Sequence, residues 1–193
     1  PYCHNYEKVS AVNSISNIGS NNYEISFNDF VQLFFSLYHK VANNIELISP
    51  TSHLPYIEKA LKILKNHNPP LNPPIPIIFK SSGYESVKRL QSLRGLIDIY
   101  LPDFKYVCNS QFALKATVTD YFNIFQKSLK EMYQQIGDPI FDQAGILQKG
   151  VVVRFVKGLL PKEEELEALR YLEELKNRYN IVVSILDHYT PIL

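Results

Sequence analysis

Short apolar runs that alternate with helical segments are the feature that most restricts the fold of this chain. The runs are NIELIS, IPIIFK, GLIDIYLP, GVVVRFV and NIVVSIL, and a segment with helical spacing separates each run from the next. Each run is a nearly continuous stretch without regular polar alternation, which is typical of parallel strands that helices cover on both faces. The pattern predicts an α/β fold in which helices connect parallel strands.

The alternation starts with a helix rather than with a strand. The segment SFNDFVQLFFSLYHKVA has helical spacing and precedes the first apolar run, with Ser26 or Asn28 as its predicted N-cap. A further strand upstream would make the pattern regular. We expect one domain over residues 1–193, with NIELIS at an edge of the sheet and with IDIYLP and VVVRFV in its interior.

Composition and charge exclude several classes of function. Apolar residues make up 46% of the 193 residues and charged residues 20%, as in globular proteins. The net charge of +1 argues against the clustered positive field that nucleic acids need. No apolar run is long enough to span a membrane. Two cysteines, Cys3 and Cys108, cannot form a disulfide framework, and we expect a reducing, cytoplasmic location.

Polar residues follow four of the five predicted strands. The segments after these strands are SPTSH, SSGYE, DFKY and DHYTP. In parallel α/β folds the ligand-binding groups lie at the carboxyl ends of the strands. Ordinary surface loops are polar too, so the pattern favours a site at this edge only modestly.

Several blocks carry a resemblance to a known family. They occur in the order CHNYE, NIELISPTSHLPYIEKAL, IPIIFKSSGYESVKRL, GLIDIYLPDFKY, EMYQQIG, GVVVRF and HYTP. Over nearly the whole chain, they resemble radical SAM proteins related to pyruvate formate-lyase activating enzyme. The resemblance implies a partial (β/α)6 TIM-like barrel. It also implies that the chain begins inside the family's CxxxCxxC motif, so that the first strand and two cluster cysteines lie upstream.

The resemblance implies an enzyme with two cofactors. Three cysteines of the family motif hold a [4Fe–4S] cluster and leave one iron open for S-adenosylmethionine. Reductive cleavage of S-adenosylmethionine gives a 5′-deoxyadenosyl radical. The implied partners are a protein substrate, such as a glycyl-radical enzyme, and an electron donor such as flavodoxin or ferredoxin; neither a nucleic acid nor a membrane is expected.

The same resemblance assigns roles to individual residues. Cys3 is the implied cluster ligand, and Tyr2 would pack near the adenine. Asp103 and Lys105 match an Asp-x-Lys element that reaches S-adenosylmethionine, with a surface ion pair as the alternative. Arg154 would hold the carboxylate of the ligand; the alternative is a structural ion pair with Asp98 or Asp103.

Serine and threonine residues complete the predicted site. Ser49 and Thr51 are the expected polar contacts after the first strand, where many radical SAM enzymes have a glycine-rich element. Ser82 is a further expected contact; in the alternative, Ser81 and Ser82 cap a helix and Tyr84 belongs to the core. Cys108 is expected to be a neutral loop thiol, and His188 lies at the end of the last strand.

A different class of function stays open. The chain could be an α/β binding domain that keeps the barrel and has lost the cluster. A cysteine directly before Pro1 and another four residues earlier would favour the enzyme. A phosphate-binding barrel is a weaker alternative, because the seven glycines form no glycine-rich loop.

Overall fold

Helices and strands alternate along the part of the chain that the structure describes. The computed structural model describes residues 25–40, 42–67, 71, 74–107 and 118–187. Its helices are α1 Phe27–His39, α2 Leu54–Lys65, α3 Val87–Ser92, α4 Tyr121–Ile136 and α5 Lys162–Arg178. Its strands are β1 Ile45–Ile48, β2 Ile77–Ser81, β3 Ile99–Phe104, β4 Ile140–Phe141, β5 Leu147–Val156 and β6 Val182–Leu186.

The strands form one mixed sheet in which sequence order and spatial order nearly coincide. β1, β2, β3, β5 and β6 are parallel, and each pairs with the next of them along the chain. β3 and β5 are therefore interior strands, as predicted, and β1 lies at an edge of the described sheet, also as predicted. The sequence did not predict β4, a two-residue strand that pairs antiparallel with the start of β5.

The two faces of the sheet have different environments. Residues of the packed face, such as Phe79, Tyr100 and Phe155, are fully buried beneath helices. The opposite face, called the open face below, stays partly exposed over much of its area and carries charged residues towards the carboxyl ends of the strands. We expected helices on both faces; in the described part of the chain, one face is covered and the other is half-covered.

The first helix begins where its sequence predicts. Ser26 caps α1, because its hydroxyl oxygen accepts a hydrogen bond of 3.1 Å from the N–H of Asp29. Residues Val31 and Phe34 of α1 are buried, and α1 also packs against α2. Every described helix is too short or too polar to cross a bilayer.

Candidate functional site

The carboxyl ends of β1, β2, β3 and β5 meet at one edge of the sheet. Because these strands are parallel and neighbouring, the loops that follow them lie side by side. The loops and strand ends at this edge carry six predicted site residues: Ser49, Thr51, Ser82, Asp103, Lys105 and Arg154.

Asp103 forms ion pairs with two basic side chains at the centre of this edge. Arg154 stands opposite Asp103 in the β3–β5 register, and its Nε and Nη2 donate hydrogen bonds of 2.5 and 2.9 Å to the two carboxylate oxygens. Lys105 Nζ donates a third, of 2.8 Å, to Asp103 Oδ2. The side chains of Asp103, Arg154 and Lys105 are 14%, 22% and 35% exposed. The three form a partly buried cluster with a net charge of +1.

This geometry decides between the two structural pairs considered for Arg154. Arg154 pairs with Asp103, whereas Asp98 binds Lys65 and accepts a hydrogen bond from the N–H of Ile77. Burial alone would raise the pKa of Asp103, but the Arg154 hydrogen bonds and the charge of Lys105 outweigh it and lower that pKa below its ordinary value of 3.8. Asp103 is therefore an anion at neutral pH.

The hydroxyl of Tyr121 joins the loops that follow β2 and β3. It lies 2.7 Å from the carbonyl oxygen of Asp103 and 3.1 Å from that of Ser82, and it accepts a hydrogen bond of 3.0 Å from the N–H of Lys105. Burial raises the pKa of Tyr121 well above its ordinary value, so the hydroxyl stays protonated. Tyr121 thus fixes the backbone that presents Asp103 and Lys105. Sequence reasoning missed it, because a tyrosine at the start of an amphipathic helix looks like an ordinary core residue.

The SSGYE segment is held by short-range hydrogen bonds. The buried Ser81 hydroxyl accepts a hydrogen bond from the N–H of Gly83, and the exposed Ser82 hydroxyl accepts one from the N–H of Tyr84. Neither serine caps a helix, since α3 begins at Val87 after Ser86. Tyr84 is 41% exposed rather than part of the core. Ser82 consequently stands at the edge of the site with part of its side chain in solvent.

The loop after β1 is tied to the loop after β2. Ser49 adopts a left-handed conformation with φ of 50°, and its N–H donates to the carbonyl of Lys80. The Thr51 hydroxyl donates a hydrogen bond of 2.8 Å to Glu85, and Arg89 donates one of 3.2 Å to the Thr51 carbonyl. The Thr51 hydroxyl therefore holds the loop. Glu85, which the sequence did not mark as special, is the buried acceptor.

Glu85 makes the stability of the protein depend on pH. Its side chain is buried, and burial raises its pKa above the ordinary 4.5 although Thr51, Arg89 and Ser81 oppose the shift. As the pH rises from 4.5, the unfolded chain loses this proton before the folded chain does. The unfolding free energy should therefore fall until the pH passes the folded pKa. Three other described carboxyl groups have lowered pKa values: Glu58, Asp103 and Glu131. Their titration therefore changes the unfolding free energy below pH 4.5.

Urea unfolding between pH 4.5 and 7 tests this expectation. Glu85→Gln should remove most of the fall in unfolding free energy, and Glu163→Gln, at an exposed position of α5, should leave it unchanged. Equal pH dependence in the wild-type protein and in Glu85→Gln would contradict the role given to Glu85.

Some predicted residues lie outside the described part of the chain. These are Tyr2, Cys3, Cys108 and His188. Within the described residues, no three side chains of histidine, cysteine, aspartate or glutamate come together as metal ligands.

Comparison with known proteins gives one limited similarity. No protein-family model matches the chain. The chain is similar to Uncharacterized protein MJ0674 of Methanocaldococcus jannaschii, with 33% identity over 79 residues. These residues are 41% of this chain and 21% of that protein, so the match covers about a fifth of the relative.

Proposed function

We propose that this chain is the S-adenosylmethionine-binding core of a radical SAM enzyme, built on a partial (β/α)6 barrel. The observation that carries the proposal is the cluster of Asp103, Lys105 and Arg154 at the carboxyl ends of two neighbouring strands. The resemblance of the sequence assigned these three residues to S-adenosylmethionine, and they lie together.

The strand order supports a barrel-like arrangement. In a doubly wound sheet the order reverses at a switch point, whereas in a barrel each strand pairs with the next one along the chain. The five parallel strands follow the second pattern. The open face would then be the inner face of the barrel, where a ligand is shielded from water by the walls.

The charged cluster suits the amino-acid end of S-adenosylmethionine. Arg154 uses two of the five N–H donors of its guanidinium on Asp103, and Lys105 uses one of three. The remaining donors and the net charge of +1 favour a carboxylate. Asp103 orients both cations, and it can accept hydrogen bonds from ribose hydroxyls or from the amino group of the ligand.

The proposed [4Fe–4S] cluster would need a cysteine ligand from the N-terminal residues. Cys3 would contribute a thiolate ligand to a [4Fe–4S] cluster. With one electron from the donor protein and release of methionine, the cluster and S-adenosylmethionine would supply radical chemistry for hydrogen abstraction. The protein would orient the ligand and exclude water. A glycyl-radical enzyme or another protein as substrate, and flavodoxin or ferredoxin as electron donor, complete the proposal.

Ligand binding by the full-length protein tests the proposal. After anaerobic reconstitution with iron and sulfide, Lys105→Ala and Asp103→Ala should each weaken S-adenosylmethionine binding about tenfold or more, because charge-assisted hydrogen bonds are lost. Equilibrium dialysis measures the affinity, and iron content should stay unchanged. Lys162→Ala, at an exposed position of α5, is the matched control. An affinity of Lys105→Ala within a factor of two of the wild type would refute the assignment.

A binding domain without a cluster is the second candidate. One observation favours it. Asp103 already neutralises one of its two basic partners, so the ion pairs of Asp103 with Lys105 and Arg154 can be purely structural. Iron content separates the candidates. The enzyme should bind about four irons per chain and lose them in Cys3→Ala, whereas the binding domain should bind none.

A further inference from the structure

We propose that the outer surface of α3 and α4 binds an acidic segment of a partner protein. This surface, called the basic surface below, consists of the exposed residues Lys88, Arg89, Lys127 and Lys130 of the two helices. Arg89 and Lys127 line a hollow there. The inference does not depend on the proposed function, because none of these four residues is assigned to S-adenosylmethionine.

The hollow has a volume of about 460 Å³ and an aromatic wall. Tyr84 forms this wall; its ring stacks on that of Tyr121 at 6.3 Å between centroids, and its hydroxyl donates to Asp120. Val87 and Ile124 add aliphatic surface, and Arg89 and Lys127 stand at the rim. The stacking and the hydrogen bond hold the Tyr84 ring in place, which reduces the entropic cost of receiving an apolar side chain.

Helical spacing brings the cations together. Gln91 of α3 contacts Glu131 of α4 by a hydrogen bond of 3.4 Å. Lys88 lies about one turn before Gln91, and Lys127 about one turn before Glu131. The two helices run in the same direction, since each connects parallel strands. Lys88 and Lys127 therefore lie on adjacent turns of neighbouring helices, and Arg89 and Lys130 are further exposed cations of the same two helices.

These cations form no ion pair with a carboxylate within the described residues, although the charge of Arg89 acts on the buried Glu85. Other basic groups do form ion pairs: Lys65 pairs with Asp98 and Arg94 with Glu131. The members of the basic surface pair with no described carboxylate, and Arg89 donates only to the carbonyl of Thr51. The nearby acids are otherwise engaged, since Glu85 is buried against Thr51 and Asp120 accepts from Tyr84.

The size and character of the surface favour an acidic protein segment over a nucleic acid. The unpaired cations form a compact group around an apolar hollow, whereas a nucleic-acid backbone needs an extended track of positive charge. The net charge of the chain is only +1, so no broad positive field surrounds the group. An acidic peptide with one large apolar side chain matches both the charge and the hollow.

Fluorescence polarisation with a labelled probe peptide tests the inference. The probe is an octapeptide of glutamate and aspartate with one central leucine. The full-length protein should bind it at low salt, and binding should weaken as salt is added. The double variant Lys88→Glu with Lys127→Glu should bind at least about tenfold more weakly. Replacing the leucine of the probe with serine should weaken binding several-fold, because the hollow is then unfilled.

The matched control carries the same change in net charge on a different helix, α5. Lys162→Glu with Arg170→Glu alters exposed positions of α5 and should keep the affinity within about twofold. If the glutamate variant does not fold by circular dichroism, Lys88→Gln with Lys127→Gln replaces it. Failure of the wild-type protein to bind the probe, or an equal loss in the control, overturns the proposal. Tighter binding of a single-stranded RNA oligonucleotide by the same four residues overturns it as well.

Discussion

Gly83→Ala should lower the free energy of unfolding by about 2–5 kcal/mol. The φ angle of Gly83 is +78°, where an alanine costs about 1–2 kcal/mol. A Cβ atom there would also lie 2.6 Å from Cδ2 of Phe125 and 2.9 Å from the carbonyl oxygen of Asp103. Relieving such an overlap in a packed region costs about 1–3 kcal/mol more.

Gly95→Ala is a matched control for this prediction. Gly95 has the same φ of +78°, but a Cβ atom there would meet nothing within 4 Å. Urea unfolding should therefore show only the conformational cost for Gly95→Ala and a clearly larger loss for Gly83→Ala. Equal losses in the two variants would mean that the structure around Gly83 yields without cost, and that the close packing of SSGYE on α4 is not energetically important.

Arg154→Met should destabilise the protein by about 2–4 kcal/mol. The substitution leaves the carboxylate of Asp103, which is 14% exposed, with Lys105 as its one remaining ionic partner. Removing one member of a buried ion pair costs about 3–5 kcal/mol, and partial exposure of this pair reduces the cost. Urea unfolding at neutral pH measures the loss. Lys176→Met breaks the exposed pair with Glu173 and should cost less than about 1 kcal/mol.

Two further measurements separate the ion pair from simple packing. Adding Asp103→Asn to Arg154→Met should recover part of the loss, because no unpaired carboxylate then remains. The stability that the ionised Asp103 contributes is complete above its ordinary pKa of 3.8 and is lost as the pH falls through its lower folded pKa. The difference between wild type and Arg154→Met should shrink in that range. A loss as small as that of Lys176→Met would show that Asp103 and Arg154 are weakly coupled.

Local sequence patterns predicted the parts of the site that lie at strand ends. Arg154 stood out because it interrupts an apolar run, and a charged residue there needs a partner. Asp103 and Lys105 were assigned by the family resemblance. Glu85 and Tyr121 did not stand out, because one lies in a polar segment and the other in an amphipathic helix. Their roles depend on contacts with Thr51, Asp103 and Lys105, which are 16 or more positions away in the chain.

The sequence alone determined the class of the fold, the order of its main elements and the segments that form the edge of the site. Hydrophobic periodicity and turn residues act over a few positions, so a single chain displays them directly. Only the tertiary structure decided that β5 places Arg154 opposite Asp103, that one sheet face stays half-open, and that Arg89 of α3 and Lys127 of α4 line one hollow. Strand register and helix packing depend on long-range contacts between side chains, and no local pattern encodes which distant residues meet.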